Sequence, residues 1–348
     1  MAHIKSRKHT FSRPVSAQSL TAASLVAGLA LGAPMAASAQ ATGGPAADAQ
    51  TTTLDQVLVE GKLVKAYSSG QLSSPKYTQP LVDTTQTINI IGSDLFNEQG
   101  ATTLTEALRN SPGVGTFYAG ENGNTTTGDS VYLRGFDSSG SIFVDGVRDL
   151  GSISRDVFNV EQIEVAKGPA GTDHGRTAPT GAINLVTKHP FLRNRTSGQV
   201  SVGTEDQKRV TADWNRTFGN GNAFRLNLMA QDSGVPGRDV VENKRWGVAP
   251  SLGFGLDSAT RIYIDLLHVQ QENLPDGGVP TIGLPGYSSP DPTRPELATA
   301  PMVDPDNFYG TLSDYDDVTA DMATVRVEHD LSDDARLINT TRWGRTQQ

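Results

Sequence analysis

The side chains that could do chemistry in this chain are few and widely spaced. There is no cysteine, so neither a disulfide framework nor a cysteine-based metal site can form. His174, His189, His268 and His329 are scattered and match no metal-ligand spacing. The glycine-rich run GPAGTDHG at 168–175 lacks the Gly-Lys-Ser/Thr ending that cradles a phosphate. The acidic run Asp314-Tyr315-Asp316-Asp317 could attract cations, but it lacks the calcium-loop spacing and reads as a solvated loop. No serine or aspartate has a partner at a defined spacing, so the sequence offers no catalytic constellation. Arginine is left. Arg148 and Arg155 sit in or beside the loop VRDLGSISRD, and a guanidinium presents a fixed fork of donors to an anionic or oxygen-rich ligand. The competing use of each is an internal ion pair with Asp149, Asp156 or Glu161. A second candidate surface is the polar stretch TFYAGENGNTTTGD at 116–129. It opens with Phe117 and Tyr118, which either face a partner or anchor the loop on its own domain.

Short strands must position these loops. Within 130–188 the segments 131–136, 142–145, 162–167 and 182–187 are rich in Val and Ile and bounded by Gly, Pro, Asp or Ser. Asp145-Gly146 and Pro179-Thr180-Gly181 supply the positive φ angles that tight turns need. Upstream, 87–91 alternates as a strand. Thr103-Leu104-Thr105-Glu106 has capping-box spacing and opens a short helix that Pro112-Gly113 stops. A small mixed α/β domain over 76–190 follows.

The flanks differ in kind. Residues 1–39 carry Lys5, Arg7, Lys8 and Arg13, an apolar stretch at 20–32, and Ala37-Ser38-Ala39, which together read as a secretory signal. Removing those four positive charges takes the net charge from −9 to −13, a poor balance for binding nucleic acid. Residues 40–75 read as a flexible tail: 41–53 are mostly Ala, Thr, Gly, Gln and Pro, too poor in apolar groups to order themselves, and 66–80 are rich in Ser, Gly, Pro and Tyr. Its one extended apolar segment, Leu54-Asp55-Gln56-Val57-Leu58-Val59-Glu60, suits strand addition to a partner's sheet edge, or else begins the next domain. Beyond residue 40 no run approaches the roughly 20 apolar residues of a spanning helix. That leaves a membrane β-barrel open.

From 191 to 348 we read about seven strands. Val210, Ala212, Trp214 and Phe218 alternate with Arg209, Thr211, Asp213 and Asn215. Phe224, Leu226, Leu228 and Ala230 alternate with Arg225, Asn227 and Gln231, and Ala323, Val325 and Val327 with Thr324, Arg326 and Glu328. In a soluble sandwich the charged face meets water; in a membrane barrel the apolar face meets lipid and the charged face the lumen. Connection lengths favour the barrel. Short links fall near 219–222, 257–259 and 332–334, and long ones at 233–243 and 272–318, the second of about 47 residues. The short link near 204–207 breaks the trend.

Several motifs resemble those of TonB-dependent outer-membrane receptors. They are ALRNSPGV at 107–114, LRGF at 133–136, DGVR at 145–148, VEQIEVAKGP at 160–169 and TGAINLVTK at 180–188. More narrowly, GENGNTTTGD, SRDVFN, GTDHGRTAPTGAIN and the run PDGGVPTIGLPGY at 275–287 are similar to catecholate-type ferric siderophore receptors. The resemblance implies an α+β plug domain at 76–190 followed by the first seven or so antiparallel strands of a transmembrane β-barrel, which has about 22 strands when complete. It implies outer-membrane lipid as surroundings, no cofactor, no enzymatic activity, and iron held through the siderophore rather than by the protein. It makes 54–60 the TonB box, and TonB the partner that energises transport. It places a ferric catecholate against Arg155, with Arg148, Phe117, Tyr118 and Glu121 nearby. Seven strands cannot enclose a domain of this size, so the expectation is an N-terminal portion that cannot transport alone. The competing expectations are a TonB-dependent transporter of cobalamin, haem or oligosaccharide, and a soluble secreted β-rich binding protein. A receptor that signals to a sigma-factor system would need a further folded domain before the box.

Overall fold

The computed structural model describes residues 71–117, 128–175, 179–289 and 291–348. All lie within one compact unit, Lys62–Gln348. The expected signal segment, residues 54–60, Tyr118 and Glu121 fall outside the described residues.

The first part is built on a mixed sheet of five strands. β1 (Thr87–Gly92), β7 (Val160–Lys167), β8 (Gly181–Thr187), β5 (Ile142–Val144) and β6 (Val147–Arg148) lie in that spatial order. All neighbours are antiparallel except β8 and β5, which are parallel. One face packs Ile163, Val165, Ile183 and Leu185 against Phe96 of α1 (Ser93–Glu98) and Leu104 and Leu108 of α2 (Leu104–Leu108). α2 begins as its sequence requires: the Thr103 side chain accepts from the Glu106 N–H while the Glu106 carboxylate accepts from the Thr103 N–H. Thr103→Ala is expected to lower plug stability by about 1 kcal/mol. Urea denaturation that left the midpoint unmoved would contradict this.

Two sequence expectations need correction. The segment 131–136 is not one strand. Arg134 and Gly135 take φ of 54° and 85°, folding it into a hairpin of β3 (Ser130–Leu133) and β4 (Phe136–Asp137), with Leu133 opposite Phe136. β3 pairs on its other side with β2 (Val114–Phe117). At Asp145-Gly146 the expected turn is present, with φ of 49° and 78°. Gly181 also answers to its backbone: its φ is 142°, and a Cβ there would collide with the Ala166 carbonyl.

The second part is a seven-stranded antiparallel meander in sequence order: β9 (Arg195–Val202), β10 (Lys208–Phe218), β11 (Asn222–Val235), β12 (Arg238–Phe254), β13 (Thr260–Leu274), β14 (Asp316–Ser332) and β15 (Ala335–Gln347). The second correction lies here. The link at 233–243 is not a loop. Both strands run on through it and turn at 236–237, with a register shift at Gly234/Val235. Polar residues along 238–244 hid the strand because it protrudes beyond the apolar band. The asymmetry of connections therefore rests on the single long link 275–315. That link folds back on the protruding hairpin, where Arg238 makes a two-pronged pair with Asp276 at 2.7 Å.

The two faces of the meander are inverted relative to a water-soluble sheet. Asn215, Arg225, Asn227, Ser251, Gln271 and Thr324 are at most 4% exposed, and Arg209, Asp213, Gln231 and Glu328 are buried as well. On the other face Val210, Trp214, Phe218, Leu228, Trp246, Leu266, Val325 and Trp343 are exposed. Along β13 the outward residues Ile262, Ile264 and Leu266 form an apolar band between Thr260 and His268. At about 3.3 Å per residue and a strand tilt near 40°, that band is about 20 Å tall, close to the lipid-facing height of an outer-membrane barrel.

Candidate functional site

The polar face of the meander is buried because the five-stranded domain sits against it, and the contacts are charged. Asp156, whose side chain is fully buried, accepts from Arg209 through both oxygens at 2.7 and 2.8 Å and lies 3.3 Å from Arg245. Arg245 also donates to the Thr102 hydroxyl at 2.9 Å. One aspartate of the plug thus carries two arginines of the wall. Gln271 donates to the Ser154 carbonyl at 2.7 Å, beside a small apolar contact of Ile153 and Phe158 with Met229, Ala249, Val269 and Val318.

The connection between the two parts is fixed just as closely. The Asn215 side chain accepts from the Phe191 N–H and donates to the Phe191 and Arg193 carbonyls, standing in for a strand partner. Arg225 pairs with Asp213, donates to the His189 carbonyl, and lies over the Phe191 ring. His189 itself bridges plug and wall. Its Nδ1 is 3.3 Å from Asp265, its Nε2 is 3.8 Å from Asp145, and its ring packs on Tyr263. Arg342 reaches the same Asp145 at 3.2 Å. Burial lowers the imidazole pKa, but the hydrogen bond and charge of Asp265 and the charge of Asp145 outweigh it and leave it raised, against a smaller opposing effect of Arg326. A raised folded-state pKa means the contribution is complete below the ordinary imidazole value of about 6.5 and fades as pH climbs through the folded value. The ring is partly exposed, so the effect is about 1 kcal/mol or less. Proteolysis within 188–194 is expected to quicken as pH rises from 6 to 8.5, and His189→Gln should flatten that profile. A flat wild-type profile would contradict it.

Of the sequence-proposed ligand residues, Arg155 is buried. Its guanidinium makes four hydrogen bonds, from Nε to Asp149, from Nη1 to Asp129 and to the Ile153 carbonyl, and from Nη2 to the Gly151 carbonyl, and Nη2 lies 2.9 Å from Asp149 in an ion pair. Its backbone N–H also donates to Asp129, and its carbonyl accepts from Leu104 at the start of α2. Burial raises the Asp129 carboxyl pKa, with Arg155 pulling it back. Gly128, with φ of 89°, lets the chain pass against Ile153, where a Cβ would lie 2.7 Å from its nitrogen. Arg155 therefore fastens the 149–155 loop to the end of the 116–129 stretch. Arg148 is exposed, and among the described residues its Nε donates to the Gly140 carbonyl at 2.6 Å. Phe117 ends β2 opposite Ser130. A cavity of about 560 Å³ lies between this loop and the inner face of β13 to β15, lined among others by Arg148, Leu150, Ile153, Met322 and Thr346. Sequence reasoning singled out SRDVFN but not Asp156 as a plug–wall contact, since its partners lie on strands far along the chain.

A small mixed-sheet domain held by ion pairs against the polar face of a sheet whose other face is apolar defines a plugged outer-membrane barrel protein. Comparison with known proteins agrees. Residues 80–182 match the model of the TonB-dependent Receptor Plug Domain. The chain is 52% identical over 303 residues to the catecholate siderophore receptor Fiu of Escherichia coli K12, covering 87% of this chain and 40% of that protein. It is 34% identical over 280 residues to a probable TonB-dependent siderophore receptor, PiuA, of Acinetobacter baumannii, covering 80% of this chain and 36% of that one. The closed-form crystal structure of the Escherichia coli ferric-catecholate import receptor Fiu superposes with a TM-score of 0.75 at 53% identity, over 79% of this chain and 39% of that one. The chain belongs to the TonB-dependent receptor family, a family of receptors and not of enzymes, and it carries the plug and part of the barrel wall. It spans about 40% of the length of the curated relatives it matches.

Proposed function

We propose that this chain supplies the plug and adjoining wall of an outer-membrane receptor that takes up ferric catecholate siderophores in a TonB-dependent manner. The inverted meander clamped to the plug carries the receptor reading. The 52% identity to a catecholate siderophore receptor supports the cargo. A ferric catecholate is anionic and aromatic, so an exposed cation beside an aromatic-bearing loop suits it. Arg148 is then the direct cationic contact, with Phe117, Tyr118 and Glu121 as the further ligand residues. Arg155 acts through the loop it holds, as a positioning residue. Residues 54–60 are the TonB box, read by strand addition.

The test uses an outer-membrane receptor containing this chain, expressed in iron-starved cells lacking their own catecholate receptors. Uptake of labelled ferric catecholate is expected, with Arg148→Ala weakening binding about tenfold. Leu58→Pro should leave binding intact and abolish uptake. Rescue by haem or cobalamin but not by ferric catecholates would overturn the cargo. Normal uptake in Leu58→Pro would overturn the box.

A further inference from the structure

Residues 71–77 are attached to the plug by a chemistry unlike that of the sheet beneath them. The anchor is Glu164 on β7, on the face away from the main core and 4% exposed. Among the described residues no lysine or arginine pairs with it. Its oxygens are held by neutral donors alone. Oε1 accepts from the Ser73 N–H at 2.6 Å and from Gln162 Nε2 at 2.8 Å; Oε2 accepts from the Ser73 hydroxyl at 3.0 Å and from Asn184 Nδ2 at 2.9 Å. Half of those donors belong to Ser73. Farther along, Lys76 Nζ donates to the Asp173 carbonyl at 2.6 Å and the Tyr77 hydroxyl donates to the Asp173 carboxylate at 3.0 Å. Leu72, Tyr77 and Leu81 cover Ile88, Phe143 and three alanines on this second face of the sheet.

No β-ladder joins 71–77 to the sheet. The segment's backbone meets the sheet only through side chains, the Ser73 N–H at Glu164 and the Gln71 carbonyl at Gln162. Lifting it would break none of the β1, β7 and β8 pairing, and water would replace the two donors that Ser73 gives to Glu164. Such an opening is local, with a free energy of its own below that of global unfolding. We propose that residues 71–77 form a releasable strap, that Glu164 is the positioning residue that seats it, and that tension on the chain upstream detaches the strap before any strand of the five-stranded sheet. The source of that tension rests on the TonB reading; the separate opening does not.

Hydrogen exchange, resolved by residue on an outer-membrane receptor containing this chain in lipid nanodiscs, tests this without any ligand or TonB. In the wild type the Ser73 amide should be protected, yet exchange at least about tenfold faster than the Val165 amide. Glu164→Ala should speed Ser73 by about tenfold or more while Ile163 and Val165 keep their protection. If that variant loosens β7 as well, Ser73→Ala, which removes the hydroxyl's bonds to Glu164 and Asn184 but keeps the Ser73 N–H bond, is read instead and should speed exchange at residue 73 about threefold. Exchange of Ser73 in step with Val165 in the wild type would overturn the proposal. Unchanged protection at residue 73 in both variants would do so equally.

Discussion

Replacing Asp156 with alanine is expected to weaken the docking of the plug on the wall by about 3–5 kcal/mol. The carboxylate side chain is completely buried, and both Arg209 and Arg245 converge on it. Removing the carboxylate leaves two buried guanidinium groups with Gln231 and Thr102 as their remaining partners. The cost comes from those uncompensated charges more than from the lost attraction. Replacing all three residues together with apolar residues of similar volume, Asp156→Leu with Arg209→Met and Arg245→Met, should recover most of the loss. Protease susceptibility of the plug against urea concentration, in lipid, provides the measurement. A loss below 1 kcal/mol for the single variant would show that the three residues do not act as a unit.

Val325→Arg is expected to destabilise the inserted wall by about 2–4 kcal/mol. Val325 is 42% exposed, on the apolar face, opposite Ile264 and Thr341 in the ladder and near the middle of the outward band. In water an arginine at so exposed a position would change stability by about 0.5 kcal/mol or less. The same substitution therefore separates a lipid-facing sheet from a water-facing one. Urea unfolding from lipid vesicles reads the difference, and near-neutral behaviour would assign the apolar face to a protein or aqueous environment.

How much of this could be read in advance follows the range of each interaction. Three of the seven wall strands showed a clear alternation in the sequence because side-chain direction repeats every second residue. The α2 capping box was legible because both partners lie three residues apart. The Arg134-Gly135 turn was missed because Leu133 and Phe136 look like continuous strand, and only the backbone angles reveal the fold-back. The 236–237 hairpin was missed because its flanks lack the apolar alternation used to recognise wall strands. Asp156 meets Arg209 across 53 residues, and Ser73 meets Glu164 across 91. Such pairs leave no local periodicity. For Arg155 both uses were visible in the sequence, and only the count of its occupied donors separates holding a loop from touching a ligand.

The polar lining of the wall also sets how plug removal would register in a calorimeter. Exposing apolar surface raises heat capacity and exposing polar surface lowers it. Separation here uncovers guanidinium, carboxylate and amide groups around the small apolar contacts made by Ile153, Phe158 and Met322, so the two contributions oppose each other. Undocking would then absorb heat with little change in heat capacity, and its free energy would vary almost linearly with temperature. The domed curve of ordinary unfolding would be confined to melting of the plug's own core.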